Sequence, residues 1–281
     1  MKGLIKVSKS FRRFFPLSAN QATKLNQSLI RKIEAIDVKI ENKLETLSTN
    51  NVKNAVNIKL CPVCMTSVKA FNLYGIPPSH KKCPTCKSIS RHRFLYLYLY
   101  KNKVFSKTTQ IKILHFSPEK AFYDIFINHP CIDYYPVEFN PEFGSHRNIK
   151  LRDVVDITNI QYSDDTFDII ICNHVLEHVN DFVAMNELLR VLKKDGGQAF
   201  IMVPTFENLE RTLENPEYNT PELRAEFYGQ HDHVRKYGRD FSERLLEVGF
   251  AVKEIRADKY LSKEERTLYH INKQSIYIAT A

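Results

Sequence analysis

Four cysteines place the tightest constraint on this chain. Cys61-Pro-Val-Cys64 and Cys83-Pro-Thr-Cys86 stand 18 residues apart. Each Cys-x-x-Cys pair turns two sulfurs toward one point. Two such turns at this separation complete the tetrahedral S4 shell of a structural zinc ion, with no position left open for catalysis. An iron–sulfur cluster and free thiols are the alternatives. The remaining cysteines, Cys131 and Cys172, sit inside apolar stretches. This is metal-site usage in a reducing compartment rather than a disulfide framework. With no signal-peptide core among the Lys- and Arg-interrupted first residues, a cytoplasmic protein is expected.

Charge divides the 281 residues into a basic arm and an acidic body. Residues 1–60 carry 12 Lys/Arg against 4 Asp/Glu, and residues 61–110 carry 9 against none, whereas residues 111–281 carry 20 against 28. A basic arm suits an anionic partner such as RNA, an acidic glycan or a membrane surface. Solubility alone, and balance of the thiolate charge by Lys81, Lys82, Lys87, Arg91 and Arg93, explain it equally well. No apolar run approaches the roughly 20 residues that cross a bilayer.

Within the arm, Leu4, Ile5, Val7, Phe11, Phe14 and Phe15 recur at near-helical spacing among basic residues until Pro16, a short basic amphipathic helix suited to peripheral membrane contact or to packing on its own domain. Leu25, Leu29, Ile33, Ile36, Ile40, Leu44 and Leu47 then follow spacings of three and four, which predicts a long helix over residues 19–48. Its single stripe serves either a homodimer or the chain's own body. The expected organisation is a basic segment and long helix over 1–55, a zinc module over 56–105 and a catalytic domain over 106–281.

From Ile111 onward, β-rich runs alternate with helical patterns. Ile111–Phe116, Tyr134–Phe139, Phe167–Cys172 and Gln198–Val203 read as strands, with helices near Glu119–Asn128 and Asp181–Leu192 between them. Such alternation predicts a doubly wound α/β fold with a parallel sheet covered on both faces. Ala251–Arg256 and Ser275–Ala279 supply antiparallel edge strands. Asp181 is placed as an N-cap, and Gly196 with Gly197 as the stop of the helix it begins. Glu138 ends the second strand roughly two dozen residues after the first, near the offset at which nucleotide-binding α/β folds hold a ribose with a carboxylate. Asp156 follows a short third strand.

The block Phe167-Asp-Ile-Ile-Ile-Cys-Asn-His-Val-Leu-Glu-His-Val-Asn-Asp181, with Glu187-Leu-Leu-Arg-Val-Leu-Lys-Lys-Asp-Gly-Gly197 after it, resembles the strand 4 to strand 5 region of class I S-adenosylmethionine-dependent methyltransferases of the type 11 group. The likeness covers roughly residues 111–281. It implies a Rossmann-like seven-stranded sheet, with Glu138 on the ribose, Asp156 and Ile157 beside adenine, and Asn173 with His174 at the methionine end. The family's glycine-rich first turn is replaced by Ile113-Leu-His-Phe-Ser-Pro-Glu-Lys-Ala121. Glycine there permits positive φ and close backbone approach. Its loss means either a differently shaped turn in which His115, Ser117 or Glu119 meets the cofactor, the favoured reading, or a site that no longer binds it.

Methyl transfer is an in-line displacement that depends mainly on alignment, with one proton to remove from an alcohol. His231, His233 and Arg235 lie in Gly229-Gln-His-Asp-His-Val-Arg-Lys-Tyr-Gly-Arg-Asp-Phe241, similar to a substrate-side segment of a zinc-bearing subgroup. An imidazole there suits the base and Arg235 an acidic acceptor. A capping and salt-bridge cluster is the bland reading of the same residues. His174 and His178 also stand at ligand spacing about Glu177, although the resemblance gives them cofactor-side roles. O-methylation of a small molecule or glycan is the leading expectation, followed by RNA methylation and by a cofactor-free scaffold.

Overall fold

A computed structural model describes residues 58–75, 80–104 and 110–281. The expected N-terminal helices, and with them the dimer stripe, lie outside the described residues. Two compact units are present. One holds the described residues up to Gln110 together with Thr267–Ile271, and the other Ile111–Arg266 with Asn272–Ala281. Among the described residues no helix is long and apolar enough to cross a membrane.

The first unit is built around the cysteines. β1 (Lys59–Cys61) pairs antiparallel with β2 (Thr66–Val68), and β3 (Asn72–Tyr74) with β4 (His80–Lys82). α1 (Ser90–Lys101) follows. Its Phe94-Leu-Tyr-Leu-Tyr-Leu-Tyr100 run alternates as a strand would. It nevertheless forms a helix, because Phe94, Leu95, Leu97, Leu99 and Tyr100 are all buried and no polar face has to be kept regular.

The second unit is a seven-stranded sheet in the order β10-β11-β9-β8-β5-β6-β7. Its strands are β5 (Ile111–Phe116), β6 (Ile132–Glu138), β7 (Asp153–Val154), β8 (Ile169–Asn173), β9 (Gln198–Met202), β10 (Ala251–Arg256) and β11 (Ser275–Thr280). β5 to β9 are parallel, and β11 runs antiparallel to both β9 and β10. All five residues of β8 are buried, which explains its unbroken Ile-Ile-Ile-Cys run: a central parallel strand is covered on both faces. The α/β fold with a mostly parallel seven-stranded sheet expected from the sequence is present.

The helices are α2 (Lys120–Phe126), α3 (Pro141–His146), α4 (Asp181–Val191), α5 (Pro221–Tyr228), α6 (Phe241–Val248), α7 (Ala257–Tyr260) and α8 (Lys263–Tyr269). Two helix-end assignments change. Asn180, not Asp181, caps α4: its extended backbone lets Oδ1 accept from Val183 N at 3.3 Å. Asp181 is drawn inward instead, its carboxylate held by Arg244 and the Tyr237 hydroxyl. The helix also stops before the glycines. Leu192 turns extended and bridges to Phe167, while Gly196, at φ +76°, shapes the turn into β9.

Gly197 is required by space, since a Cβ there would lie 2.3 Å from the Lys193 carbonyl oxygen. Gly197→Ala is expected to cost about 1–3 kcal/mol through this backbone collision, read as a lower urea midpoint at unchanged slope.

Candidate active site

The sheet order reverses between β5 and β8. In open α/β sheets, ligands bind outside the carboxyl ends of the strands at such a switch point. The candidate residues converge there. Glu138 at the end of β6 and Asn173 at the end of β8 are buried. Glu138 Oε1 accepts from Phe139 N at 3.0 Å, but its buried Oε2 has no hydrogen-bond donor, and Arg147 Nη1 stands 3.8 Å away. Asn173 Nδ2 donates to Glu119 Oε1 at 3.2 Å, while its Oδ1 is likewise buried without a donor. A buried acceptor left unpaired costs about 1–3 kcal/mol and calls for an explanation. Two of them at the carboxyl ends of β6 and β8, the strands on either side of β5, match what a bound polar ligand at the switch point would satisfy.

The glycine-poor first turn keeps the conformation a glycine would give. Ser117 takes φ +48°, a left-handed backbone that costs a non-glycine residue about 1–2 kcal/mol. It is held there from both sides. Ser117 N donates to Val137 O at 3.0 Å, and Arg147 Nη1 reaches Ser117 Oγ at 3.1 Å and its carbonyl at 3.3 Å. Glu119 ties the turn to β8 through Asn173.

Both ring nitrogens of His115 are engaged within the protein. It is fully buried, with Nδ1 2.9 Å from the Tyr134 hydroxyl and Nε2 2.9 Å from Glu119 Oε2, so it holds Glu119 in place. Asp156 Oδ1 accepts from Thr158 N and Oγ1 in a local turn, and the Ile157 side chain is packed in the core. Sequence reasoning missed Arg147. It arrives from the far end of α3, about which neither motif nor spacing gives a signal.

On the other side of β8, His174 takes φ +55° and its Nδ1 lies 3.1 Å from Glu177 Oε1. Burial opposes ionisation of Glu177, but the His174 hydrogen bond and the nearby His174 and His178 charges hold its carboxyl below the usual range. Burial pushes His233 below the ordinary imidazole value, which favours the neutral ring. His231 is exposed on the same turn.

Arg235 departs from its expected role. The buried guanidinium donates through Nη1 to the carbonyls of Leu176 and Val179 and through Nη2 to Glu214 Oε1 at 2.8 Å. It therefore fixes the Leu176–His178 turn to the 230–235 segment and is not open to pair with an acceptor.

In the other unit, one sulfur from each of Cys61, Cys64, Cys83 and Cys86 lies within 4.8 Å of the rest, and none forms a disulfide. The Cys61–Cys86 and Cys64–Cys83 pairs are 3.5 and 3.8 Å apart. Both knuckles share one backbone feature: the residue after the second cysteine, Met65 or Lys87, is left-handed at φ 55° or 65°.

The family described as "Methyltransferase domain" matches residues 111–255. Similar solved structures include the YcgJ protein of Bacillus subtilis, 18% identical over 67% of this chain and 98% of that one at a TM-score of 0.43. PH0226 of Pyrococcus horikoshii is 15% identical over 70% and 93% at 0.45. The uncharacterized protein MJ0638 of Methanocaldococcus jannaschii is 42% identical over 48 residues, 17% of this chain, which spans 21% of that relative's length. The family match contains β5 to β9, the Ser117 turn and both orphaned acceptors, and the chain belongs to the methyltransferase-domain family.

Proposed function

We propose that the α/β unit binds S-adenosylmethionine across the carboxyl ends of β5, β6 and β8 and transfers its methyl group to a hydroxyl oxygen of a small molecule or glycan. The observation that carries the cofactor site is the pair of orphaned acceptors. Glu138 Oε2 suits the ribose hydroxyls and Asn173 Oδ1 the ammonium of the methionine end, both of them donors that a buried acceptor lacks. Phe139, which follows Glu138 and is 69% exposed, offers an aromatic face to adenine. Asp156, Ser117 and Glu119 are read as further cofactor contacts at the same end. S-adenosylmethionine, when bound, supplies a methyl carbon made electrophilic by the neighbouring sulfonium. The chain's contribution is alignment, with the hydroxyl's one proton leaving beside the cluster of His174, Glu177, His178 and His233.

The four cysteines are read as a structural zinc site. A tetrahedron with Zn–S of about 2.3 Å has sulfur–sulfur edges of about 3.8 Å, and the Cys61–Cys86 and Cys64–Cys83 pairs stand at 3.5 and 3.8 Å. RNA is the second acceptor reading, supported by the basic balance of residues 1–110.

Calorimetric titration of the full chain with S-adenosylmethionine tests the cofactor site. Wild type is expected to bind, and Glu138→Gln to bind about 100-fold more weakly, because charge-assisted hydrogen bonds are worth about 1.5–3 kcal/mol each. Equal affinity in the two proteins would remove Glu138 from the site. RNA binding that falls steeply with salt would shift the acceptor to RNA.

A further inference from the structure

The chain gathers a second set of ligand-type side chains where the 3-10 turn Leu176–His178 meets the segment after α5. One such atom from each of Glu177, His178 and His233 lies within 4.8 Å of the other two. Glu177 is 1% exposed. Its Oε1 is engaged by His174, whereas Oε2 is buried with no hydrogen-bond donor. Leaving one oxygen bare beside two imidazoles is the arrangement a cation completes.

The surroundings are those of metal-ligating histidines. His178 Nδ1 lies 3.3 Å from the Asp232 carboxylate and 3.3 Å from its carbonyl, an outer contact that fixes the ring and commits the other nitrogen to a ligand. The His178 and His233 rings meet nearly perpendicular at 83°, with centroids 4.8 Å apart. The backbone is pinned as well: Val234 N donates to Glu177 O at 2.9 Å, and Arg235 holds the carbonyls of Leu176 and Val179. The donors are therefore placed before any ligand arrives.

We propose that Glu177, His178 and His233 bind one divalent transition-metal cation, whose open positions take the acceptor's hydroxyl oxygen. Two imidazoles and one carboxylate suit Zn2+, Mn2+ or Fe2+, and three protein ligands leave room for substrate. The proposal rests on the O-methylation reading and narrows its acceptor to an oxygen nucleophile. A cation there makes the hydroxyl more acidic. Its O–H bond breaks and the proton passes to solvent. The oxygen's electron pair forms the new bond to the methyl carbon as the carbon–sulfur bond breaks, and that pair returns to sulfur, turning the sulfonium into a neutral thioether.

The test is a titration of the full chain, with its cysteines loaded with Zn2+, by Mn2+, followed by loss of the free-ion paramagnetic resonance signal. Mn2+ prefers nitrogen and oxygen donors and leaves the sulfur site alone. One Mn2+ per chain is expected, weakened at least about tenfold by Glu177→Gln, His233→Ala or His178→Ala, and about tenfold by Asp232→Asn through the outer contact. His178 is partly exposed, so its variant keeps the test open if the buried ones fail to fold. No Mn2+ binding by folded wild type, or binding that every folded variant retains, overturns the proposal. S-adenosylmethionine titration of the same samples separates the outcomes. Cofactor binding without Mn2+ binding removes only the cation, and absence of cofactor binding removes the underlying methylation reading.

Discussion

Arg235→Leu is expected to destabilise the α/β unit by about 3–5 kcal/mol, the range seen when one partner of a buried charged network is removed. Arg235 is 3% exposed, and its guanidinium ties the carbonyls of Leu176 and Val179 to Glu214 and to Asp181 at 3.5 Å, two carboxylates that Arg244 also bridges. Leucine fills much of the volume but leaves two carbonyls without a donor and Glu214 with Arg244 alone. Glu214 is held below the usual carboxylate range against its burial by the hydrogen bond and charge of Arg235, then by Arg244. That support weakens with the substitution. Thermal unfolding is expected to move down on the order of 10 °C. Arg235→Lys recovers only part of the loss, because one ammonium cannot span the fork. A shift below about 2 °C in the leucine variant would mean that the turn is held by the Val234–Glu177 backbone bond without it.

This prediction differs from what the sequence suggested for the same residue, and the reason is instructive. His-Asp-His-Val-Arg shows a dense polar group, but the pattern does not say which members face inward. That depends on the carbonyls of Leu176 and Val179, more than fifty positions earlier, and on the shape of a 3-10 turn. The same limit hid Arg147, whose role is to hold a left-handed serine thirty residues upstream. It also hid Thr267–Ile271, which joins the cysteine unit although it follows most of the α/β unit in sequence.

Features written in local chemistry were legible. β8 was legible as a strand because its Ile169-Ile-Ile-Cys172 run is apolar at consecutive positions, as a parallel strand covered on both faces is, and Glu138 as the acidic residue that ends β6. Asn180 and Asp181 fall between these cases. Both residue types cap helices, and the choice was made by Arg244 and Tyr237, which pull the aspartate inward. The missing glycines gave a legible question rather than an answer. The backbone still requires positive φ at that turn, and Ser117 supplies it under the restraint of Arg147.

The cysteine unit carries a counterpart of Arg235. Arg93 is fully buried and donates to four carbonyls: Nε to Tyr269 at 2.8 Å, Nη1 to Lys81 at 3.1 Å and Ser88 at 2.8 Å, and Nη2 to His270 at 2.8 Å. Its guanidinium also lies 4.1 Å over the Phe71 ring. The Lys81 and Ser88 carbonyls bracket the second knuckle on either side of Cys83 and Cys86, so one side chain fixes the path of the turn that presents both sulfurs. Arg93→Met keeps a long apolar stem and removes every donor. The expected cost is about 3–5 kcal/mol, concentrated in this unit. Thiol titration reads it directly: Cys61 and Cys83, both fully buried, should react with a thiol reagent many times faster in the variant. Added Zn2+ should restore part of the protection, since a bound ion stabilises the folded module by mass action. Unchanged thiol reactivity in Arg93→Met would show that the knuckles hold their geometry by their own left-handed turns at Met65 and Lys87, and that the four carbonyls find other donors.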